Sequence, residues 1–357
     1  MKIIRFICCF ILISALAGCS QKTENKIKIA IMGCEDTYEE GYLNGINLAI
    51  KENRRKYPEY DIEAVFYDDN ESYTDGAAIV NIIASDEEIT AVIGSQTPAI
   101  CENAAYTFDA AKIPTLTPYT VYDSMLNNNN YSYIFSMCHS QESVGKALYR
   151  AMEAEYPGKK TIALCYCEDQ SGKDEARSFA ECINADGEVI IADYVKLHDL
   201  SLNFNNVYSR WETLGVDVVV IMPYDIEGFD ILKRIKERNP DMIMLGDFMF
   251  DNLDEIEKAD SAFDGFLFAD PFYNSVDYDA AGSYEAEYGE QMGKWAAHGY
   301  DAVTMIVNAA VNSEDTASYL RENEYKQYSF DEKGRYSGEK ATYEIYRDGK
   351  FETKTLQ

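Results

Sequence analysis

The sequence contains little of what enzyme chemistry usually needs. Only three histidines occur in 357 residues, His139, His198 and His298. None stands in a His-x-x-x-His or Gly-x-Ser-x-Gly setting, and no Gly-x-x-x-x-Gly-Lys-Ser/Thr or Gly-x-Gly-x-x-Gly cradle for phosphates is present. No set of cysteine and histidine pairs has a spacing suited to zinc. We therefore predict a protein that is not an enzyme and holds no metal or cofactor, with a hydrolase or dehydrogenase as the weaker hypothesis.

Basic residues are also scarce. The chain has 32 Lys and Arg against 62 Asp and Glu, a formal net charge of −30. Such a chain is repelled by the phosphates of nucleic acids and by anionic lipid headgroups, so we exclude both as partners. We interpret the acidity as a solvated surface that keeps the protein soluble.

The N-terminus has the pattern of a secretory signal. An apolar run from Ile3 to Leu16 carries the basic residue Arg5, and small residues follow it. The run is too short to cross ~30 Å of hydrocarbon. The sequence Leu16-Ala17-Gly18-Cys19 resembles the lipobox of bacterial lipoproteins. That resemblance implies removal of residues 1–18, lipidation of Cys19, and a protein anchored to the extracytoplasmic face of the cell membrane, on the cell-surface or periplasmic side.

Six cysteines remain after the signal and the lipidated residue. An exported protein can form disulfides, but a chain of this length does not need them. We interpret most of them as small core residues, and their pairing stays open: Cys34, Cys101, Cys138, Cys165, Cys167 and Cys182.

Beyond a polar tether at 19–26, short β-rich runs alternate with helical patterns in two successive series. The first predicts strands at 27–33, 62–67, 89–94, 115–117 and 133–136, and the second at 161–166, 189–194, 216–222 and 242–245. Such alternation indicates a parallel sheet with helices on both faces. After 266–269 the pattern becomes helical, and Asp348-Gly349 predicts a final hairpin. We interpret the tract 127–130 as a solvated loop. The fold class is α/β, with two doubly wound lobes.

Several motifs, in order along about three hundred residues, resemble one known family. They include Tyr67–Asn70, Ala91–Gly94, Ile113–Pro118 and Gly299–Val303. The chain resembles the type I solute-binding proteins of ABC importers, in the branched-chain amino acid and amide branch. The resemblance implies two lobes joined by three crossovers, with the first lobe at 27–138 plus 273–326 and the second at 139–272 plus 327–357.

The same resemblance implies a function. A monomeric binding protein would capture a small polar solute, an amino acid or an amide-like metabolite, in the cleft between the lobes. Hinge closure would then present the solute to an ABC permease. A sensory lipoprotein that passes ligand occupancy to a receptor is the alternative, and the sequence does not separate the two.

The candidate ligand loops follow the strands, where helix N-termini can hold a carboxylate without a formal cation. In Gly94-Ser95-Gln96-Thr97-Pro98, we expect Thr97 to cap the helix that Pro98 begins, with its hydroxyl also donating to a ligand, and Ser95 to contribute beside it. The resemblance implies a second carboxylate loop at Thr117–Val121. There Val121 replaces the usual hydroxyl, which leaves the main-chain N–H groups or a hydroxyl of Tyr119 or Thr120 as donors.

The remaining ligand residues are also implied by the resemblance. Tyr38 corresponds to an aromatic over the ligand, with a surface aromatic as the alternative. Tyr224 follows a strand and corresponds to a ligand tyrosine of the second lobe. Asp247 is the candidate for the acid that pairs with a ligand ammonium, with a solvated loop acid as the alternative. Ser171 stands where the family often has tyrosine, so one aromatic contact is missing.

Overall fold

The structure is a computed structural model, and it describes residues 25–34, 41–119, 121–183, 187–222, 227–247, 263–270, 280–337 and 341–356. Within these ranges the strands form two separate sheets, one of five strands and one of seven. We call the first sheet and the helices packed on it the first half, and the second sheet and its helices the second half.

The first sheet has the order β2-β1-β3-β4-β5, and all its strand pairs are parallel. Both faces of β1 are buried, because Ile29 and Ile31 join one core while Ala30 and Met32 join the core on the other side. The strands are β1 Lys26–Gly33, β2 Asp61–Asp68, β3 Ile89–Ile93, β4 Thr115–Thr117 and β5 Ile134–Ser136, and the helices between them are α1 Tyr42–Lys56, α2 Tyr73–Ala84, α3 Pro98–Ala110 and α4 Asp123–Asn127.

The second sheet has the order β12-β11-β10-β9-β8-β6-β7, and its β6–β10 part repeats the arrangement of the first sheet. The antiparallel strands β11 and β12 extend it at one edge, around the turn at Asp348-Gly349. Its strands are β6 Lys160–Tyr166, β7 Val189–Lys196, β8 Val218–Met222, β9 Ile243–Gly246, β10 Leu267–Asp270, β11 Thr342–Arg347 and β12 Lys350–Thr355, with helices α5 Gln141–Glu155, α6 Gln170–Glu181, α7 Leu197–Leu214 and α8 Glu227–Arg238.

Three later helices return to the first half: α9 Ala281–Tyr288, α10 Lys294–Asn312 and α11 Thr316–Glu322. The apolar face of α10 completes the core beneath β1, through Val303 and Ile306. Helix α1 lies so close to α10 that a Cβ on Gly45 would stand 1.8 Å from the Ala296 carbonyl oxygen. Only glycine allows this approach.

Two connections between the sheets are described. The first crossover, residues 137–140, leads from β5 to α5, and the last crossover, residues 323–337, leads from α11 toward β11. The predicted fold class is confirmed, while the residue boundaries of the lobes remain a prediction. Among the residues that the structure describes, no helix has the length and apolarity needed to cross a membrane.

Three details differ from the sequence prediction. The periodicity predicts a helix from Lys173, but helix α6 begins at Gln170, because the Asp169 side chain caps it by accepting from the Gly172 amide at 2.8 Å. The periodicity predicts the next helix from Phe204, but helix α7 begins at Leu197 and has a kink at Asn203. The tract at 127–130 is not merely solvated, because Asn127 accepts hydrogen bonds from Lys333 and Arg335 of the last crossover.

Candidate functional site

The candidate site in the first half lies at the carboxyl ends of β1 and β3. These strands are neighbours, and the chain leaves them toward opposite edges of the sheet, which is where open α/β sheets form a crevice. The Gln96 side chain joins the two strand ends. Its Nε2 donates to the Cys34 carbonyl at 3.1 Å, and its Oε1 accepts from the Cys34 amide at 3.4 Å. Sequence reasoning had not assigned a role to Gln96.

Ser95 is fixed by its own turn. It is 1% exposed, its Oγ accepts from the Thr97 amide at 3.0 Å, and its carbonyl accepts from the Cys101 thiol at 2.9 Å. The turn therefore holds the start of α3 in one orientation relative to β3.

The expectation that the Thr97 hydroxyl caps α3 is wrong. Thr97 has the extended N-cap conformation, but its side chain makes no capping hydrogen bond. The amides of Ile100 and Cys101 both donate to the Thr97 carbonyl at 3.0 Å instead, and Pro98 has no amide to donate. Consequently the hydroxyl does not cap the helix, and no side chain of the described residues accepts from the first turn of α3.

A buried acid lies behind this turn. Asp69 is fully buried, its Oδ1 accepts from the Glu71 amide at 3.0 Å, and its Oδ2 has no hydrogen-bond partner in the part of the chain that the structure describes. Burial raises the pKa of Asp69, and hydrogen bonding by Ser95 and Glu71 partly offsets this. Burial, together with the Asp69 charge, raises the pKa of the Cys101 thiol to about 12. Asp69 therefore stabilises the turn that contains Ser95. The sequence signal for this acid was the motif Asp68-Asp69-Asn70 at the end of a strand.

The second predicted loop supplies an aromatic platform. The Tyr119 ring stacks on Trp295 of α10, with centroids 4.6 Å apart and planes 23° apart, and it lies 5.9 Å from the Tyr42 ring of α1. Val121 is 2% exposed and packs in the core under α3, so it does not stand at the surface in place of a hydroxyl. Thr120 lies outside the described residues.

In the second half, the candidate acid lies at a strand end. Asp247 follows β9 directly and is 6% exposed, so it is a buried acid rather than a solvated one. Ser171 lies in the first turn of α6 and is also largely buried. Tyr38, Tyr224 and Cys19 lie outside the described residues, so their predicted roles stay predictions.

A cavity of about 250 Å³ adjoins the second loop. It is lined by the start of α5, by the last crossover and by residues after Thr120, including Val121, Ser140, Ser143, Arg335 and Tyr336. None of the predicted ligand residues in the described ranges lines it: Ser95, Thr97, Tyr119 and Asp247. Within the described ranges, His, Cys, Asp and Glu side chains form no group of three or more that could hold a metal ion.

Comparison with known proteins decides the family. A family model described as periplasmic binding protein matches residues 33–327, which is most of the chain. The chain belongs to the periplasmic binding protein family. The match agrees with the type I fold of the structure, and the resemblance noted in the sequence is confirmed.

Solved structures of similar fold cover nearly all of this binding protein. An ABC transporter substrate-binding protein from Desulfitobacterium hafniense in complex with Leu shares 22% identity, with 92% of this chain and 100% of that chain covered and a TM-score of 0.79. The branched-chain amino acid binding protein LivJ from Streptococcus pneumoniae, with isoleucine, shares 20% identity over 93% and 99% of the two chains, with a TM-score of 0.75. An R. palustris solute-binding protein with benzoate shares 15% identity over 93% and 96%, with a TM-score of 0.73. No curated protein gives a significant sequence match.

Proposed function

We propose that this binding protein captures a small solute that carries a carboxylate, an amino acid in the first place, and delivers it to an ABC permease. The observation that carries the proposal is the start of α3. A helix of 13 residues begins there with no acidic residue in its first turn and, among the described residues, no capping side chain, beside the Thr97 hydroxyl, which makes no capping bond. The amides and the positive end of such a helix favour an anion.

The known ligands of the structural neighbours support a carboxylate. Leucine, isoleucine and benzoate share that group and little else. A fold that holds all three requires a carboxylate site and a separate, variable pocket for the rest of the molecule. The turn at Ser95–Thr97 supplies the first of these in our proposal.

The second half supplies the opposite charge. Asp247 is an acid directly after the last residue of β9, at the carboxyl end of the second sheet, where open α/β sheets bind ligands. In our proposal its carboxylate receives an ammonium group of the solute. An α-amino acid would therefore bind with its carboxylate on the first half and its ammonium on the second.

Binding through both halves gives a reason for closure. A solute that contacts both halves only when the cleft is shut stabilises the shut form by its differential affinity for that form. The two crossovers described above connect the halves, as hinge closure requires. Closure then presents a defined surface to a permease.

A thermal-shift screen of the purified protein tests the solute class. We expect stabilisation by one or more amino acids, and a ligand at one hundred times its Kd contributes about 2.7 kcal/mol to the free energy of unfolding. The matched controls are the same molecules with the carboxylate converted to a primary amide, which should not stabilise. Equal stabilisation by acid and amide, or response only to molecules without a carboxylate, contradicts the proposal.

The anchor and the transport role need separate tests. The lipobox resemblance is the support for an anchor at Cys19. A Cys19→Ser variant should move from the membrane fraction to the soluble extracytoplasmic fraction. Loss of solute uptake in cells that lack the protein supports delivery to a permease. Unchanged uptake contradicts delivery and favours a sensory role.

A further inference from the structure

The carbonyl of Pro118, which lies in the second ligand loop, forms a hydrogen-bonded cluster with three buried side chains. The His298 Nε2 lies 2.6 Å from the Pro118 oxygen, and the Cys138 thiol donates to the same oxygen at 2.8 Å. The Tyr328 hydroxyl lies 2.8 Å from the His298 Nδ1. All three side chains are at most 5% exposed.

The protons of this cluster follow from its partners. A carbonyl oxygen only accepts, so the His298 Nε2 carries a proton and donates to Pro118. Nδ1 is then the acceptor, and the Tyr328 hydroxyl donates to it. Burial lowers the pKa of His298 to about 4, which keeps the ring neutral at physiological pH although the Pro118 bond acts in the opposite direction.

The groups come from four different segments. Pro118 directly follows β4, Cys138 lies in the first crossover, His298 lies on α10, and Tyr328 lies in the last crossover. The imidazole therefore joins the ligand loop to one connection between the halves, and the thiol joins it to the other.

The last crossover is also held against β5 near this cluster. The Ser136 amide donates to the Gly334 carbonyl at 2.8 Å, and Phe330 packs on Phe135 with ring centroids 5.1 Å apart. Gly334 has φ +74°, and a Cβ there would stand 2.0 Å from the Ile134 oxygen. The Met137 amide donates to the Thr117 carbonyl at 3.0 Å, which links the first crossover to the strand before the ligand loop.

We propose that His298 and Tyr328 are positioning residues, which hold Pro118 and Tyr119 of the second ligand loop in their ligand-binding orientation and couple that orientation to the last crossover. The inference rests on the proposed function and adds residues that do not touch the solute. Movement of the crossover during closure is transmitted through the Tyr328 hydroxyl and the imidazole to the Pro118 carbonyl.

Two variants break the link at different atoms. Tyr328→Phe removes the hydroxyl and keeps the ring. His298→Gln keeps an amide donor for Pro118 and lacks the imidazole acceptor for Tyr328. We expect each to weaken the solute Kd about fivefold, the value of one hydrogen bond. The double variant should be no weaker than either single variant, because both remove the same interaction. Additive losses would overturn the proposed coupling.

Hydrogen exchange without solute gives an independent readout. We expect the Met137 amide to exchange faster in Tyr328→Phe. The last crossover then no longer holds the second ligand loop, and the Met137 amide donates to the Thr117 carbonyl of that loop. The matched control is Thr304→Val on the same helix. Its hydroxyl donates to the Tyr300 carbonyl at 2.9 Å, away from the cluster. This control should lower the melting temperature but leave both the Kd and the Met137 exchange unchanged.

The outcomes separate this inference from the proposed function. If the solute binds and Tyr328→Phe changes only the melting temperature, as the control does, the residues are merely structural and the inference fails. If no solute binds, the proposed function fails, while faster exchange at Met137 in Tyr328→Phe still supports the coupling. Unchanged exchange at Met137 overturns the coupling in either case.

Discussion

The two halves of this binding protein share one plan and differ in how the helix after the first strand of each half begins. Their parallel strands follow the orders β2-β1-β3-β4-β5 and β7-β6-β8-β9-β10. The first strand of each leads into the same pattern, Ile-Ala-x-x-x-Cys-Glu-Asp, at 29–36 and 162–169. In the first half, α1 and α3 begin without a side-chain cap or an acid in the first turn. In the second half, α6 begins at a capping aspartate, Asp169.

This difference gives the two helix starts, one in each half, opposite preferences for an external anion. An uncapped helix start is open to an external anion, whereas a start capped by a carboxylate already has one. In our proposal, the start of α3 receives the carboxylate end of the solute, and Asp247 at the end of β9 receives its ammonium end.

The largest effect is expected at the glycines where helices meet. A Cβ at Gly45 would stand 1.8 Å from the Ala296 oxygen in the first half, and one at Gly145 would stand 2.1 Å from the Ser178 Oγ in the second. Either change to alanine forces the helices apart and should lower the free energy of unfolding by about 3 kcal/mol, measured by urea unfolding. In the control Gly282→Ala the new methyl meets nothing within 4 Å, so stability should not fall. An unchanged midpoint for Gly45→Ala would contradict the close approach of α1 and α10.

The next effect concerns the charges of the solute. Asp247→Asn should weaken binding of an amino acid about a hundredfold and Thr97→Val about tenfold, since hydrogen bonds to charged groups contribute about 1.5–3 kcal/mol. Calorimetry with modified solutes sharpens the assignment. Thr97→Val should have no effect on a solute whose carboxylate is an amide, and Asp247→Asn none on a solute without an ammonium. If Thr97→Val instead had no effect only on the solute without an ammonium, and Asp247→Asn none only on the amide, the first half would bind the ammonium and the second half the carboxylate.

A smaller effect separates the two helix starts in the absence of solute. Asp169→Ala removes a capping bond and should lower the free energy of unfolding by about 1 kcal/mol. Thr97→Val removes no cap and should change it by less than about 0.5 kcal/mol. Thermal melts of both variants provide the comparison. Equal losses would mean that Thr97 caps its helix after all.

The smallest effect is a difference in pH dependence. Burial alone would raise the pKa of Glu155 in the second half, but hydrogen bonds from Lys354, Tyr343 and Arg347 outweigh it and lower the pKa. Its contribution to stability is therefore present above about pH 4.3 and lost as pH falls further. The contribution of Asp69 to stability depends on pH in the opposite direction, because burial raises its pKa. That contribution is present below about pH 3.9 and is lost as the pH rises through the folded pKa.

Thermal melts between pH 3 and 7 check these signs. The stability advantage of the wild type over Glu155→Gln should shrink as the pH falls. The difference between the wild type and Asp69→Asn should move in favour of the variant as the pH rises. Parallel curves for either variant would contradict the corresponding shift.

The sequence predicted the strands well because their signal is local. Buried parallel strands read as continuous apolar runs, and Thr115–Thr117 of β4 was predicted to the residue. Helix starts were less certain, because Asp169 and Thr97 are both good caps by composition and only one of them caps. The turn before a helix, here at Ser95, decides which oxygen accepts from each amide at the helix start. The residue type alone does not determine these hydrogen bonds.

The residues that support the site could not be predicted from the sequence, for a different reason. Gln96, His298 and Tyr328 act through partners 62, 180 and 30 residues away in the chain, respectively. A lone histidine in a helix has no pattern that reveals a bond to a distant carbonyl. Only the topology, which returns α10 to the first half, brings these groups together.

The closing hairpin has a consequence for how the protein is made. Tyr343 and Ile345 of β11 pack with Leu164 and Leu267 in the second half, and α10 completes the first half only at residues 294–312. During synthesis from the N-terminus, neither half has all of its interior until most of the polypeptide has emerged. The nascent chain therefore stays incompletely folded for most of its length.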